Sequence, residues 1–142
     1  MTIRLHLQII GALLIVLGAS HGLFGRYFGW KEELERLSLL ARQVFLVHNF
    51  FIALLLVLLG LGSLFYPETL LEPAPLSRVL LTGILVFWIC RMLVQWFIYD
   101  PAIWRGRRFF TFMHVIFSLF WIYAVITYGL ALRNVWASSA LL

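Results

Sequence analysis

Four ionisable side chains lie inside long apolar stretches of the sequence. They are three histidines and one arginine: His21, His48, His114 and Arg91. An ionisable residue is costly in such a position, so it often marks a ligand, proton or cofactor site. Neutral imidazole is the commonest metal ligand in proteins, and two imidazoles can hold a haem b axially. These residue types therefore predict the binding of a cofactor or of an anion.

The leading hypothesis is a cofactor held by the three histidines. His21, His48 and His114 are the candidate ligands of a haem b or of a transition-metal ion. Arg91 is the candidate partner of the haem propionates, which it would bind through charge-assisted hydrogen bonds. A quinone partner and a role in electron transfer would fit such a cofactor. No pair of histidines at a fixed spacing identifies a haem site, so a three-histidine metal site stays open.

Two other interpretations use the same residues. In the first, Arg91 binds an anionic or lipid substrate, with Gln95, Asn49 and Arg42 as further polar contacts. In the second, the chain is a non-catalytic subunit of a larger membrane complex, and its polar residues only bond neighbouring helices. Arg91 would then extend to the membrane surface or pair with Asp100, nine residues further on.

Composition sets the class of protein. Of the 142 residues, 63% are apolar and 12% are charged, against about 45–50% and about 25% in soluble domains. An integral membrane protein is predicted, which excludes nucleic-acid binders, cytosolic enzymes and disulfide-rich secreted domains. Cys90 is the only cysteine, so an intrachain disulfide is excluded. The sequence contains no H-E-x-x-H motif, nucleophile elbow or carboxylate pair, and whether the protein is an enzyme stays open.

Four apolar runs are long enough to cross a bilayer, which needs about 20 helical residues. They cover approximately residues 5–24, 39–65, 76–99 and 109–132. The predicted fold is an all-α integral membrane protein, one domain over residues 1–142, forming an antiparallel four-helix transmembrane bundle with short loops. We expect the first run to be a membrane helix and not a cleaved signal peptide. We also expect an amphipathic turn over residues 30–37, no helix in the proline-rich segment 66–75, and a helix end at Asp100-Pro101.

The basic residues predict the orientation of the bundle. Three Lys or Arg residues lie on one side, Arg91 lies in a span, and seven lie on the other side: Arg26, Lys31, Arg36, Arg42, Arg105, Arg107 and Arg108. The positive-inside rule places these seven in the cytoplasm and both termini on the outer side. We expect a multi-pass protein of a prokaryotic plasma membrane. It would contact the lipid bilayer and form a homo-oligomer or join a larger membrane complex, without a nucleic-acid partner.

The polar residues are expected to lie in one layer of this bundle. All four ionisable residues fall within about 5–14 Å of the predicted cytoplasmic ends of their helices, whereas His6 is expected at the outer interface. Helical spacing predicts several shared faces, with small residues on the first that permit close helix packing. These faces are Gly11, Gly18, His21, Gly22 and Gly25; Arg91 and Gln95; Arg42 and Asn49; His114, Ser118 and Trp121.

Overall fold

The computed structural model describes residues 2–27 and 29–139, with the side chains of residues 24–27, including that of Arg26, outside this description. The described residues form helices and turns and contain no strand. The α-helices are α1 (Ile3–Tyr27), α2 (Trp30–Glu35), α3 (Leu39–Phe65), α4 (Pro67–Leu71), α5 (Pro75–Leu93) and α6 (Arg108–Ser139). A π-helical turn, Val94–Ile98, continues α5, and a short 3-10 helix, Pro101–Ile103, follows it.

Four helices are long and apolar enough to cross a membrane. These candidate spans are Ile3–Leu23, Leu39–Phe65, Pro75–Ile98 and Arg108–Ser139. The prediction of an all-helical chain with four apolar spans is therefore confirmed. The last helix continues seven residues beyond the predicted end at Leu132, because no proline or glycine interrupts the chain after Gly129.

The prediction that the prolines exclude helix from residues 66–75 is wrong for Pro67–Leu71. Pro67 is the first residue of α4, where a backbone N–H would have no partner inside the helix and its absence costs nothing. Pro75 begins α5 for the same reason. The predicted helix end near Asp100-Pro101 is confirmed, because Tyr99 and Asp100 are extended.

The chain forms two compact units. The first unit is residues 7–67, and the second is residues 2–6 together with 68–139. A single domain made of both stays a prediction.

Two glycines bring α1 and α3 close together in the first unit. A Cβ atom on Gly11 would lie 2.6 Å from the backbone nitrogen of Leu64, and one on Gly60 would lie 2.7 Å from the carbonyl oxygen of Gly11. A Cβ atom on Gly18 would likewise lie 2.9 Å from the carbonyl oxygen of Ala53. Early residues of α1 therefore face late residues of α3, and the two helices run antiparallel. The predicted role of small residues is confirmed for Gly11 and Gly18, whereas a Cβ on Gly22 would touch nothing within 4 Å.

The second unit is built on the contact between α5 and α6. Arg78, near the start of α5, lies over the ring of Trp136, near the end of α6. Trp88 stacks on Trp121 with ring centroids 5.3 Å apart, so these helices are also antiparallel. The Nδ1 atom of His6 lies 3.0 Å from the hydroxyl oxygen of Tyr123.

Candidate functional site

The candidate site lies where α5 passes into its π-helical turn. The turn begins at Val94, and Gln95 within it is buried, with 5% of its surface exposed. A π-helical turn is uncommon, and within helices such turns occur frequently at functional sites. Arg91 lies one turn earlier on the same helix and is half-buried. The sequence predicted that Arg91 and Gln95 share a face, and their contact confirms it.

Gln95 connects Arg91 to His114 of α6. Its Nε2 atom lies 2.8 Å from the Nδ1 atom of His114. Its Oε1 atom accepts a long hydrogen bond, 3.5 Å, from Nη1 of Arg91. The amide therefore turns its oxygen toward the cation and its nitrogen toward the imidazole. The reverse orientation would place the amide N–H groups against guanidinium N–H groups, donor against donor.

This orientation fixes the form of the His114 ring. Because the Gln95 amide donates to Nδ1, that nitrogen carries the lone pair and the proton of the neutral ring lies on Nε2. The free edge of His114 is thus an N–H donor. Such an edge suits a hydrogen bond to a ligand oxygen, whereas ligation of a metal through Nε2 needs the opposite tautomer.

Two aromatic rings hold the charged and polar groups in place. Trp104 stacks on His114, with ring centroids 4.0 Å apart and an angle of 18° between the planes. The guanidinium of Arg91 lies 4.9 Å from the ring centroid of Trp121 and 5.7 Å from that of Tyr99. Cation–π contacts of this kind contribute about 0.5–2 kcal/mol.

Arg91 lacks an acidic partner among the described residues. The ion pair found there joins Arg4 and Glu68, at 2.7 Å. The carboxylate of Asp100 accepts a hydrogen bond from the backbone N–H of Ala102 instead of pairing with Arg91. The hypothesis of an Arg91–Asp100 pair is therefore wrong.

Two buried indole groups beside Arg91 also lack acceptors. The Nε1–H groups of Trp88 and Trp121 are buried and, within the described part of the chain, have no hydrogen-bond partner. An unsatisfied buried donor costs about 1–3 kcal/mol. His114, Ser118 and Trp121 share a face as predicted, and the structure places that face against α5 and its π-helical turn. Ser118 accepts a 3.2 Å hydrogen bond from Trp96. Sequence reasoning missed Trp88, although its position three residues before Arg91 placed it on the same face.

The remaining predicted site residues lie in the first unit. His21 is half-buried on α1, and His48 is exposed on α3. In each, Nδ1 lies 2.8 Å from the carbonyl oxygen four residues earlier, on Leu17 and Val44 respectively. Because a carbonyl only accepts, each Nδ1 carries the proton and each Nε2 presents a lone pair.

Arg42 and Asn49 are half-buried on α3, whereas the residues between them are exposed. The prediction that these two side chains share a face is therefore confirmed. Within each unit, the described residues gather no group of three or more His, Cys, Asp or Glu side chains able to hold a metal ion.

The described polar groups around Arg91 consist mainly of donors. The oxygen of the Gln95 amide is occupied by Arg91, while the imidazole edge and two indoles offer N–H groups. Such a set can bind a group with several acceptor oxygens, such as a carboxylate or a phosphate. Comparison with protein-family models, with curated proteins and with solved structures finds no match.

Proposed function

We propose that this chain is a multi-pass membrane protein that binds an anionic amphiphile through Arg91, Gln95 and His114. The proposal rests on one observation, which is that Arg91 is half-buried in an apolar span and, among the described residues, has one long hydrogen bond and no acidic partner. An arginine inside a membrane span is costly, with about 2.5–3.5 kcal/mol or more as the value at the centre of the helix. The aromatic contacts offset part of that cost, and an anionic ligand would supply acceptors that the described residues do not provide.

The charge of the site favours a carboxylate or a phosphate over a neutral head group. Arg91 offers planar, paired N–H donors that match the oxygens of such an anion. His114 adds a further donor from its Nε2 edge. The stacked Trp104 and the buried Trp121 surround these donors with apolar surface, which suits the hydrocarbon part of an amphiphile.

A fatty-acid probe tests this function. Protein in a neutral detergent is titrated with 12-bromododecanoate, whose bromine quenches tryptophan fluorescence, and with 12-bromododecanol as the uncharged control. We expect saturable quenching by the acid and binding at least about tenfold weaker for the alcohol, because a hydrogen bond to a charged group contributes about 1.5–3 kcal/mol.

Substitution of the arginine separates this site from general partition into the micelle. Arg91→Gln should weaken binding of the acid about tenfold or more, whereas Arg133→Gln, which alters an exposed arginine near the end of α6, should leave it unchanged. Equal binding of acid and alcohol, or an unaltered Arg91→Gln variant, would reject the proposal. A quinone that binds better than the acid would assign the site to a neutral carbonyl ligand.

A specific observation favours a second function, the ligation of haem b or of a transition metal. His21 and His48 each donate Nδ1–H to a backbone carbonyl, as metal-ligating histidines commonly do, which places the lone pair of each neutral ring on Nε2. His114 joins them in this proposal only as its other tautomer, with Arg91 near the propionates. Haem would supply one-electron chemistry there, with a quinone as the natural partner.

Optical spectra of the purified protein, oxidised and then reduced with dithionite, test this second function together with metal analysis. A Soret band that shifts on reduction would support haem, and stoichiometric metal without colour would support a metal site. We expect His21→Ala and His48→Ala to lose the cofactor and His6→Ala to keep it. A colourless and metal-free protein from gently purified membranes would reject it.

We further propose how the chain sits in its membrane. The four long helices would cross as an antiparallel bundle, with both termini on the outer side of a prokaryotic plasma membrane. The excess of basic residues between the first two spans and between the last two supports this orientation. The exposed apolar surface of α3 supports contact with lipid, with a second copy or with a subunit of a larger membrane complex.

A further inference from the structure

A groove at the start of α6 lies apart from the residues that contact Arg91. Its volume is about 510 Å³, and it is open on one side. One part of its wall is basic or polar and consists of Arg107, Arg108 and Thr111. The other part is apolar and consists of Phe112 and Val115, and Gly106 completes the wall.

The basic part of the groove carries unbalanced positive charge. Arg107 and Arg108 of its wall are exposed, and so is Arg105, which precedes the wall residues in sequence. The described acidic side chain nearest in sequence is Asp100, whose carboxylate accepts from the Ala102 N–H. No described acidic side chain pairs with these three arginines, so an anion is the partner that their charge favours.

The basic turn is fixed to the first turn of α6. Gly106 adopts a φ of +78°, which a residue with a side chain rarely adopts. The hydroxyl of Thr111 donates to the carbonyl oxygens of Trp104, at 2.8 Å, and of Arg107, at 3.1 Å. The guanidinium of Arg107 also lies 5.6 Å from the ring of Phe110. The arginines are thus presented from an ordered backbone.

An exposed apolar strip continues from the groove along α6. Phe112, Val115 and Leu119 are 60%, 49% and 62% exposed, and their spacing of three and four residues places them on one helix face. The distance from Arg108 to Leu119 along the helix is about 16 Å at 1.5 Å per residue. The hydrocarbon of one leaflet is about 15 Å thick, half of the bilayer core. The apolar strip itself, from Phe112 to Leu119, covers about 10 Å of that thickness, so it can contact about two-thirds of one acyl chain.

We infer that this groove binds an anionic phospholipid. The phosphate accepts hydrogen bonds from Arg107 and Arg108, as arginine forks bind phosphate in pairs. The acyl chain lies along Phe112, Val115 and Leu119. Charge selects the head group, so phosphatidylglycerol binds in preference to zwitterionic phosphatidylcholine. This site does not depend on Arg91.

Native mass spectrometry of the detergent-purified chain measures this preference directly. With equal amounts of phosphatidylglycerol and phosphatidylcholine added, we expect the bound lipid to be enriched about tenfold in phosphatidylglycerol. Arg107→Gln/Arg108→Gln should abolish the enrichment. The matched control, Lys31→Gln/Arg36→Gln, removes two exposed charges from another turn and should preserve it.

Three outcomes would overturn the inference. The first is equal retention of the two lipids by the unaltered chain. The second is an equal loss of enrichment in both double variants, since net charge rather than the groove would then select the lipid. The third is complete displacement of the lipid by 10 mM inorganic phosphate, which would assign the arginines to a free anion. Size-exclusion profiles matching the parent verify that the variants are folded.

Discussion

At the scale of single residues, Gln95 determines which hydrogen bonds its neighbours Arg91 and His114 can make. Its amide has one acceptor side and one donor side, and these meet Arg91 and His114 respectively. The helical spacing of four residues was enough to predict the Arg91–Gln95 contact. The partner of Gln95 on α6 could not be predicted, because helix rotation within a packed pair depends on side-chain packing that a single sequence does not display.

The variant Gln95→Glu tests whether Arg91 binds an anion because the residues around it offer its guanidinium few acceptors. A carboxylate at this position would pair with Arg91 and provide an internal anion, so the affinity for 12-bromododecanoate should fall about tenfold or more. Fluorescence quenching measures the affinity. Ser118→Ala, which removes a half-buried hydroxyl one turn from His114, is the control and should bind normally. Undiminished binding by Gln95→Glu would show that the ligand does not contact the part of Arg91 that faces position 95.

At the scale of elements, the α1–α3 contact depends on the absence of side chains at Gly11 and Gly60. The small-residue spacing on α1 was visible in the sequence, but its partner on α3 was not. Gly22 belongs to the same spacing, but a Cβ on it would meet nothing within 4 Å, so periodicity identified the face of α1 without showing where the close approach ends. Likewise, the prolines at residues 66–75 indicated chain breaks but not the short helix that Pro67 begins.

A pair of alanine substitutions on α3 tests this contact. Gly60→Ala should lower the Tm in detergent by roughly 5 °C or more, because its Cβ meets backbone atoms of α1 and overpacking costs about 1–3 kcal/mol. Gly62→Ala, two residues further on, has open space around the new Cβ and should leave the Tm unchanged or raise it slightly. Thermal unfolding followed by tryptophan fluorescence compares the two. Equal Tm values would mean that the close approach contributes nothing to stability.

At the scale of the whole molecule, α3 indicates the environment of the chain. Its 27 residues include only three that are buried, Leu56, Gly60 and Ser63. Exposed leucine, valine and phenylalanine side chains cover most of the rest. Each square ångström of such surface costs about 25 cal/mol in water. The surface of α3 therefore favours an apolar environment.

The four spans were predictable because a run of about 20 apolar residues has few alternative structures to a membrane-spanning helix. The stacking of Trp104 on His114 was not, because loop conformation has no sequence period.

Reporter fusions test the proposed orientation. Alkaline phosphatase, which is active only outside the cytoplasm, should be active when fused after Leu142 in a bacterial host. Green fluorescent protein at the same position should stay dark. Fusions in the loop that contains Arg107 should give the opposite pattern. A fluorescent C-terminal fusion with inactive phosphatase would reverse the assigned orientation.

The π-helical turn at Val94–Ile98 has a consequence for chain length. A π turn accommodates one residue more than an α-helix does over the same rise. Removing a single residue from this segment would restore regular α-helical winding, and the residues before and after it would keep their relative orientation, because the π turn holds its extra residue within the same rise. Arg91 and Trp88 would then stay on the face that meets His114 and Trp121, and only the side chains of the turn itself would change their positions. Aligning sequences at this segment thus requires attention to single-residue gaps, since such a gap changes the local winding without displacing the flanking residues.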